Sequence, residues 1–425
     1  MSLLPGATPI LSLLVCVVAI AGPVRLSLLM LVATSPLTTV AVLSFGENTI
    51  QLYQLLWIAL AGKTIYLRIR TKAALCKPWV WFLLFCLAST SFALFTTDAV
   101  VINPDSRITN VQFSIQQFTQ WGYLLLAITT AWFVAYGLKS GLVDVQGVLK
   151  ALDAGMIMVL VVAFLQLVLP PELITELFRN SSHVGYLGAG QRISSTFNEP
   201  SMMAAFLTPM VAVHCVRLMK TPNPFSIVMV VLAMTVLVLS QSSSAVIGIM
   251  ALGVILILFG FSSFIRDGIR PAAILIALAG CAAIMILASA GVFDKLANML
   301  IAKLQAENTS GVERSFGMSL HWQVFLDHAL TGVGWGTARS TDLITTWLAE
   351  LGVIGFTLFV VPLVKICAKL CSLKDMRNAF AMSIFSYLVV ALVILFVSVP
   401  EPYYLSFWIV SGLGYHLSYE TTLKA

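Results

Sequence analysis

Residues 378–399 read N-A-F-A-M-S-I-F-S-Y-L-V-V-A-L-V-I-L-F-V-S-V, a run without one Asp, Glu, Lys or Arg. At about 1.5 Å of rise per residue a helix of this length crosses the ~30 Å hydrocarbon layer of a bilayer, and only a helix satisfies its own backbone there. Lys365, Lys369, Lys374 and Arg377 precede it, and Glu401 follows. That asymmetry, basic at one end and acidic at the other, recurs along the chain in both directions.

Working outward, further spans are expected near 7–23, 26–44, 50–66, 78–96, 116–137, 151–170, 201–218, 225–240, 244–263, 271–290, 344–364 and 404–418. With the first this makes thirteen, within an expected range of about twelve to fourteen. Composition agrees: of 425 residues 59% are hydrophobic and 10% charged, at a mean hydropathy of +0.98. Soluble domains carry about 25% charged residues, so the fold class is all-α, polytopic and membrane-embedded, with residues 1–425 as a single transmembrane domain. The seven cysteines stand in spans or beside basic loops, and no disulfide framework is expected. Residues 1–22 lack a basic leader, so the first span is expected to remain as an anchor.

The formal net charge of +6 resolves by position. Lys63, Arg68, Arg70, Lys72, Lys77, Lys139, Lys150, Arg217, Lys220, Arg266 and Arg270 fall, with the 365–377 group, on alternate connections. The positive-inside rule puts those connections in the cytoplasm, and no nucleic-acid partner is called for. The other connections hold most of the acids and only Arg107, Arg179, Arg192, Lys295, Lys303, Arg314 and Arg339 among basic residues. Each of those seven has the plain explanation of a surface salt bridge. Two of these connections are long, an external loop at 171–200 carrying Arg192 and a larger one at 291–343 carrying Arg314 and His321.

The larger loop leads into the most hydrophilic stretch, residues 310–355. Ser310 and Glu313 have the spacing of a capping box that starts a helix at Gly311. On that helix Arg314, Met318, His321, Phe325 and His328 share a face, with Arg314 and His321 two turns apart, about 10 Å. Upstream, Val292, Phe293, Leu296, Met299, Leu300 and Leu304 recur at helical spacing, as in an interfacial helix or one packed on the bundle. In 188–203, G-A-G-Q-R-I-S-S-T-F-N-E-P-S-M-M, Pro200 stands as a first helical residue with Glu199 as the acid before it. Glu199 is a helix-start residue on one reading and a carboxylate that positions or deprotonates a hydroxyl on the other.

Glu350 falls near or within lipid depth, where an ionisable residue is a site candidate; Arg339 and Arg192 are candidate partners. His183, His321 and His328 lack metal-ligand spacing, so no metal site is expected. Gly332, Gly334 and Gly336 permit tight turning without the strand-and-helix setting of a nucleotide fold. Trp322, Trp335 and Trp347 suit either sugar stacking or an interfacial belt.

Arg314, His321-Trp322, the run L-T-G-V-G-W-G at 330–336 and L-A-E-L-G-V-I-G at 348–355 together resemble the O-antigen polymerase and ligase superfamily of bacterial envelope enzymes. Residues 188–201 are similar to the region of that family's earlier external-loop arginine. These segments cover about a quarter of the chain. The resemblance implies a glycosyltransferase class C-like membrane fold and inverting, cofactor-free and metal-independent glycosyl transfer at the periplasmic face of the bacterial inner membrane. Donor and acceptor would be oligosaccharides linked to undecaprenyl pyrophosphate, with a flippase and a chain-length regulator as candidate partners.

Arg192 and Arg314 match the positions that hold the pyrophosphate, through guanidinium forks suited to phosphate oxygens. Glu199, His321 and Asp342 are each candidates for the base, with Arg339 and Glu350 in support. Where the ligase branch carries His-Asn this chain has Thr341-Asp342, which favours a polymerase over a ligase. A transporter or flippase is the rival from another class. Broken mid-membrane helices and intramembrane charges would mark it.

Overall fold

The structure, a computed structural model, describes residues 2–3, 7–45, 48–71, 77–96, 100–102, 108–110, 115–182, 192–221, 223–267, 309–372, 379–399 and 404–419. Fourteen helices lie among them: α1 (Ala7–Ala21), α2 (Val24–Thr34), α3 (Leu52–Thr71), α4 (Lys77–Thr96), α5 (Ile115–Lys139), α6 (Val145–Val168), α7 (Pro171–Phe178), α8 (Pro200–Lys220), α9 (Pro224–Leu239), α10 (Ser243–Asp267), α11 (Thr309–Asp327), α12 (Leu343–Leu370), α13 (Ala379–Ser398) and α14 (Leu405–Tyr419). Among the described residues five helices are long and apolar enough to cross a membrane, within α5, α6, α8, α12 and α13. The chain is an all-α membrane protein. The expected span at 271–290 and the helical pattern at 292–304 lie outside the described residues.

One expectation fails at the N-terminal side. The apolar run 26–44 is not a single span: α2 stops at Thr34, and the chain then forms the antiparallel pair β2 (Ala41–Phe45) and β3 (Asn48–Gln51), with β1 (Ser2–Leu3) beside β2. Pro36 explains the stop, because it has no amide to continue the helix. A short pair β4 (Val100–Ile102) and β5 (Ile108–Asn110) is the other departure from helix among the described residues.

The hairpin is bonded to the loop after α7. Ala41 N–H donates to Asn180 Oδ1 at 2.8 Å and Asn180 Nδ2 donates to Ala41 O at 3.0 Å. Thr39 Oγ1 donates to Phe178 O, and Thr196 Oγ1 donates to Pro36 O, both at 2.8 Å. The turn after α2 and residues 178–182 and 192–197 therefore share one end of the bundle, the loop end. At the opposite, basic end, the Lys63 ammonium caps α1 by donating to Ala19 O and Gly22 O. A cation there complements the carbonyls a helix leaves unpaired at its C-terminus.

The centre is aromatic. Trp79 and Phe82 of α4, Trp347 and Phe359 of α12, and Phe407 and Trp408 of α14 form one continuous cluster, joined by Trp335. Trp335 and Trp347 are 1% and 0% exposed, so neither is a sugar platform or a belt residue. Trp322 is 46% exposed and packs on Phe325. In lipid such a cluster stabilises through dispersion and fit, since leaving hydrocarbon for protein gains little.

Candidate functional site

At the loop end α12 is broken. Gly352 has φ 61° and ψ −169°, and the halves on either side are not continuous helix. A break inside a bundle strands the carbonyls before it and the amides after it. Here the segment after α11 supplies the partners. Val333 N–H donates to Ala349 O at 2.9 Å and Gly334 N–H to Glu350 O at 2.8 Å, while Val353 N–H donates to Ala329 O at 2.8 Å and Ile354 N–H to Leu330 O at 3.3 Å. The fit tolerates no side chain. A Cβ on Gly352 would run into the Leu330 carbonyl, and one on Gly332 (φ 66°) into the Glu350 carbonyl. From α4, Ser89 Oγ donates to Thr331 O, and Trp335 N–H donates to Thr90 Oγ1, both at 2.7 Å.

The Glu350 side chain closes the same knot. Its Oε1 accepts from Gly336 N–H at 3.0 Å and Ala338 N–H at 3.4 Å. Arg339 lies within electrostatic reach of that carboxylate. Of the two arginines the sequence offered as partners, Arg339 is the near one, and backbone amides do the holding.

The three base candidates differ sharply in what they have free. Asp342 is the N-cap of α12 and 2% exposed. Its oxygens accept from Thr345 N–H at 2.8 Å, Thr345 Oγ1 at 2.5 Å and Ser340 Oγ at 3.4 Å. Glu199 is the exposed N-cap of α8 with Pro200 at its first position, and its Oε2 accepts from Ser201 Oγ at 2.9 Å. His321 is 1% exposed, with Nδ1 2.7 Å from Gly317 O. A carbonyl can only accept, so Nδ1 carries the proton, and the neutral ring keeps its lone pair on Nε2, which has no hydrogen-bond partner. Burial lowers the imidazole pKa from its ordinary 6.5, opposed by the Gly317 carbonyl and by the charge of Asp342. His321 and Asp342 are thus brought together.

The expected common face of α11 does not hold as one surface. The helix begins at Thr309, ahead of the expected start, and His321 is buried while Met318 is 40% exposed. His328 follows the last helical residue. Arg314 is on the first turns of α11, and its side chain lies outside the described residues, as do His183 and residues 188–191.

Arg192 belongs to a different part of the loop end. It is exposed, and its guanidinium donates to Gln241 O, between α9 and α10, at 3.4 Å. The loop that carries it is organised by Arg179, which sequence reasoning treated as a surface ion pair. Arg179 is 3% exposed and donates to Ser194 Oγ, to Phe197 O at 2.6 Å and to Ser195 O at 3.3 Å. Burial lowers its pKa to about 10, which leaves it charged.

A second buried polar cluster, missed in the sequence, sits towards the basic end. Asp153 of α6 pairs with Arg217 of α8 at 2.7 Å and lies 3.5 Å from His214 Nε2. His214 Nδ1 is 3.2 Å from Ser226 Oγ of α9. The available signal was an Asp in an otherwise apolar span, one helix away from a His and Arg three residues apart. Among the described residues no group of three or more His, Cys, Asp or Glu is placed to hold a metal ion. Compared with known proteins, the chain matches no family model. No curated protein matches it either.

Proposed function

We propose that the chain is a polymerase of lipid-linked oligosaccharide repeat units, an inverting glycosyltransferase working at the outer face of the bacterial inner membrane. One observation carries this reading. Two of the segments that carry the family resemblance, 330–336 and 348–355, are hydrogen-bonded to each other in a single knot, and two of the base candidates, His321 and Asp342, are within electrostatic reach of each other on the helices that the knot joins.

In the proposed reaction the acceptor hydroxyl oxygen attacks the anomeric carbon of the donor chain as the bond from that carbon to the pyrophosphate oxygen breaks. Arg192 and Arg314 hold the departing undecaprenyl pyrophosphate and offset its growing charge. The hydroxyl proton passes to Nε2 of His321, the candidate base with an unengaged lone pair. Asp342, its oxygens already occupied, stabilises the imidazolium that forms. Nε2 is shut away in this conformation, so the reading requires α11 to lift when acceptor binds.

The break in α12 and buried Glu350 are features of the kind transporters use around an ion. Here the broken ends are engaged by the chain's own 329–334 segment, which favours a shaped loop over an open ion site. Purified protein given a lipid-linked repeat unit should yield a ladder of products on a gel, lost in both Arg192→Ala and Arg314→Ala. A single transfer to a second acceptor would instead make the chain a ligase, and no product at all would end both enzyme readings.

A further inference from the structure

The contacts of α11 give it a direction. His321 is within electrostatic reach of Asp342 at the cap of α12. Three residues on, Val324 packs against the cluster of Val333, Ala338 and Ala349. The turn after the helix offers the Ala329 and Leu330 carbonyls to the amides of Val353 and Ile354, just past the break. α11 therefore runs beside the first half of α12 in the same chain direction, from the cap to the break, and residues 331–342 return to the cap.

The depth of that turn follows from the other end of α12. Lys369, which donates to Ser418 O at the end of α14, belongs at a bilayer surface. Ile354 stands fifteen residues before it in unbroken helix, a rise of about 22 Å. A hydrocarbon layer of ~30 Å measured from Lys369 thus extends roughly 8 Å past the break. The lipid-facing side of α12 is marked by exposed Val353, Ile354, Val361 and Val364. Leu330, 68% exposed, is bonded beside Ile354, and behind it on α11 stand exposed Leu326, Trp322 and Met318. Those three lie in one row at four-residue spacing. The next row, Ser319, Gln323 and Asp327, is exposed and polar, and lies about 100° further round the helix.

We infer that α11 is a re-entrant helix whose Met318–Trp322–Leu326 row, continued by Leu330, docks among the acyl chains of the loop-end leaflet, while its Ser319–Gln323–Asp327 row faces water. The apolar row is continuous with the lipid-facing side of a spanning helix, and that continuity names lipid as the occupant. Trp322 falls at headgroup level, where tryptophan is favoured, with Leu326 and Leu330 deeper. Asp327 needs water on its own side, because a carboxylate in hydrocarbon is costly. The irregular return tolerates this depth because it is largely buried and its amides at 333, 334, 336 and 338 are bonded to α12. None of this depends on the enzyme reading.

The test uses the full chain in nanodiscs of phosphatidylcholine brominated on its acyl chains, bromine being a contact quencher of tryptophan emission. The difference between wild type and Trp322→Phe isolates Trp322 among the nine tryptophans. That signal should lose most of its intensity to bromine near the headgroup end of the chain and little to aqueous iodide. In the Trp322→Phe background, Leu326→Trp should be quenched by bromine further down the chain and spared by iodide. Asp327→Trp, one residue on, should show the reverse.

Iodide quenching of Trp322 or of Leu326→Trp would put the row in water, and quenching by neither agent would put it against protein, a second copy included. Either result overturns the lipid assignment. Bromine quenching of Asp327→Trp as strong as that of Leu326→Trp would overturn the two-faced helix. A single bromine depth for Trp322 and Leu326→Trp would lay α11 flat and overturn the re-entrant path. Should Asp327→Trp not fold, Gln323→Trp on the same row takes its place, and should Leu326→Trp not fold, Leu330→Trp does.

Discussion

The bundle holds two buried polar knots, and they are built from different materials. At the loop end the 329–338 segment and the broken α12 are joined by backbone hydrogen bonds, with one carboxylate, Glu350, held by amides. Towards the basic end the Asp153–Arg217 ion pair ties α6 to α8 through side chains, with His214 beside it, inside continuous helices. A backbone knot fixes the path of the chain and so shapes a surface. A charge knot fixes which helices are neighbours and leaves the backbone regular.

The two should therefore fail differently, and the largest failure belongs to the backbone. Gly352→Ala puts a Cβ against the Leu330 carbonyl at a φ of 61° and ψ of −169°, a region open to glycine alone. Strain and clash act together on backbone that cannot rotate away, so the loss should exceed about 4 kcal/mol and membrane-inserted, monodisperse protein should fall to a small fraction of wild type. Gly332→Ala should behave alike, because its Cβ meets the Glu350 carbonyl. Size-exclusion yield in detergent reads this. Normal yield would mean that the loop is not inserted in the break, and the comparison would collapse.

The charge knot should yield more gently and be repairable. Asp153→Asn leaves Arg217 without its partner, and breaking a buried pair costs roughly 3–5 kcal/mol. The low end applies, since the Arg217 side chain is 21% exposed and can turn towards water. Adding Arg217→Met removes the stranded charge and should recover at least about half of the loss. A double-mutant cycle of melting temperatures measures it. Additive losses would show that the 2.7 Å pair is not coupled.

How far each knot was legible follows from what it is made of. The positions of most helices could be read from apolar runs, their ends less so: the expected span 151–170 starts six residues inside the helix that Asp144 caps by accepting from Gly147 N–H. The glycines at 332, 334, 336 and 352 signalled tight backbone, yet the insertion of one segment into another is a pairing across sequence that periodicity cannot carry. Pro36 was visible, but the apolar residues after it outweighed it, since strand and helix in lipid-soluble sequence look alike by hydropathy. Trp335 and Trp347 looked like surface aromatics because their stretch is polar on average. Asp153 and His214 were hidden for the opposite reason, each being a lone polar residue in a strongly apolar span.

The smallest expected effect tests the quietest difference between the knots, the state of His321. Burial lowers its imidazole pKa below the ordinary 6.5, so the unfolded chain binds more protons than the folded one as acid is added. Its neutral form contributes stability that is complete above about 6.5 and is lost as pH falls through the lower folded value. His321→Gln removes this dependence, so the melting temperature of wild type should drop relative to the variant between about pH 7.5 and pH 5. Taking the difference of the two proteins cancels other titrating groups, those of the charge knot included. A wild type whose melting falls no faster than the variant would mean that the ring is charged or solvated in the fold. The buried, unengaged Nε2 lone pair on which the proposed base role rests would then not be a property of the fold.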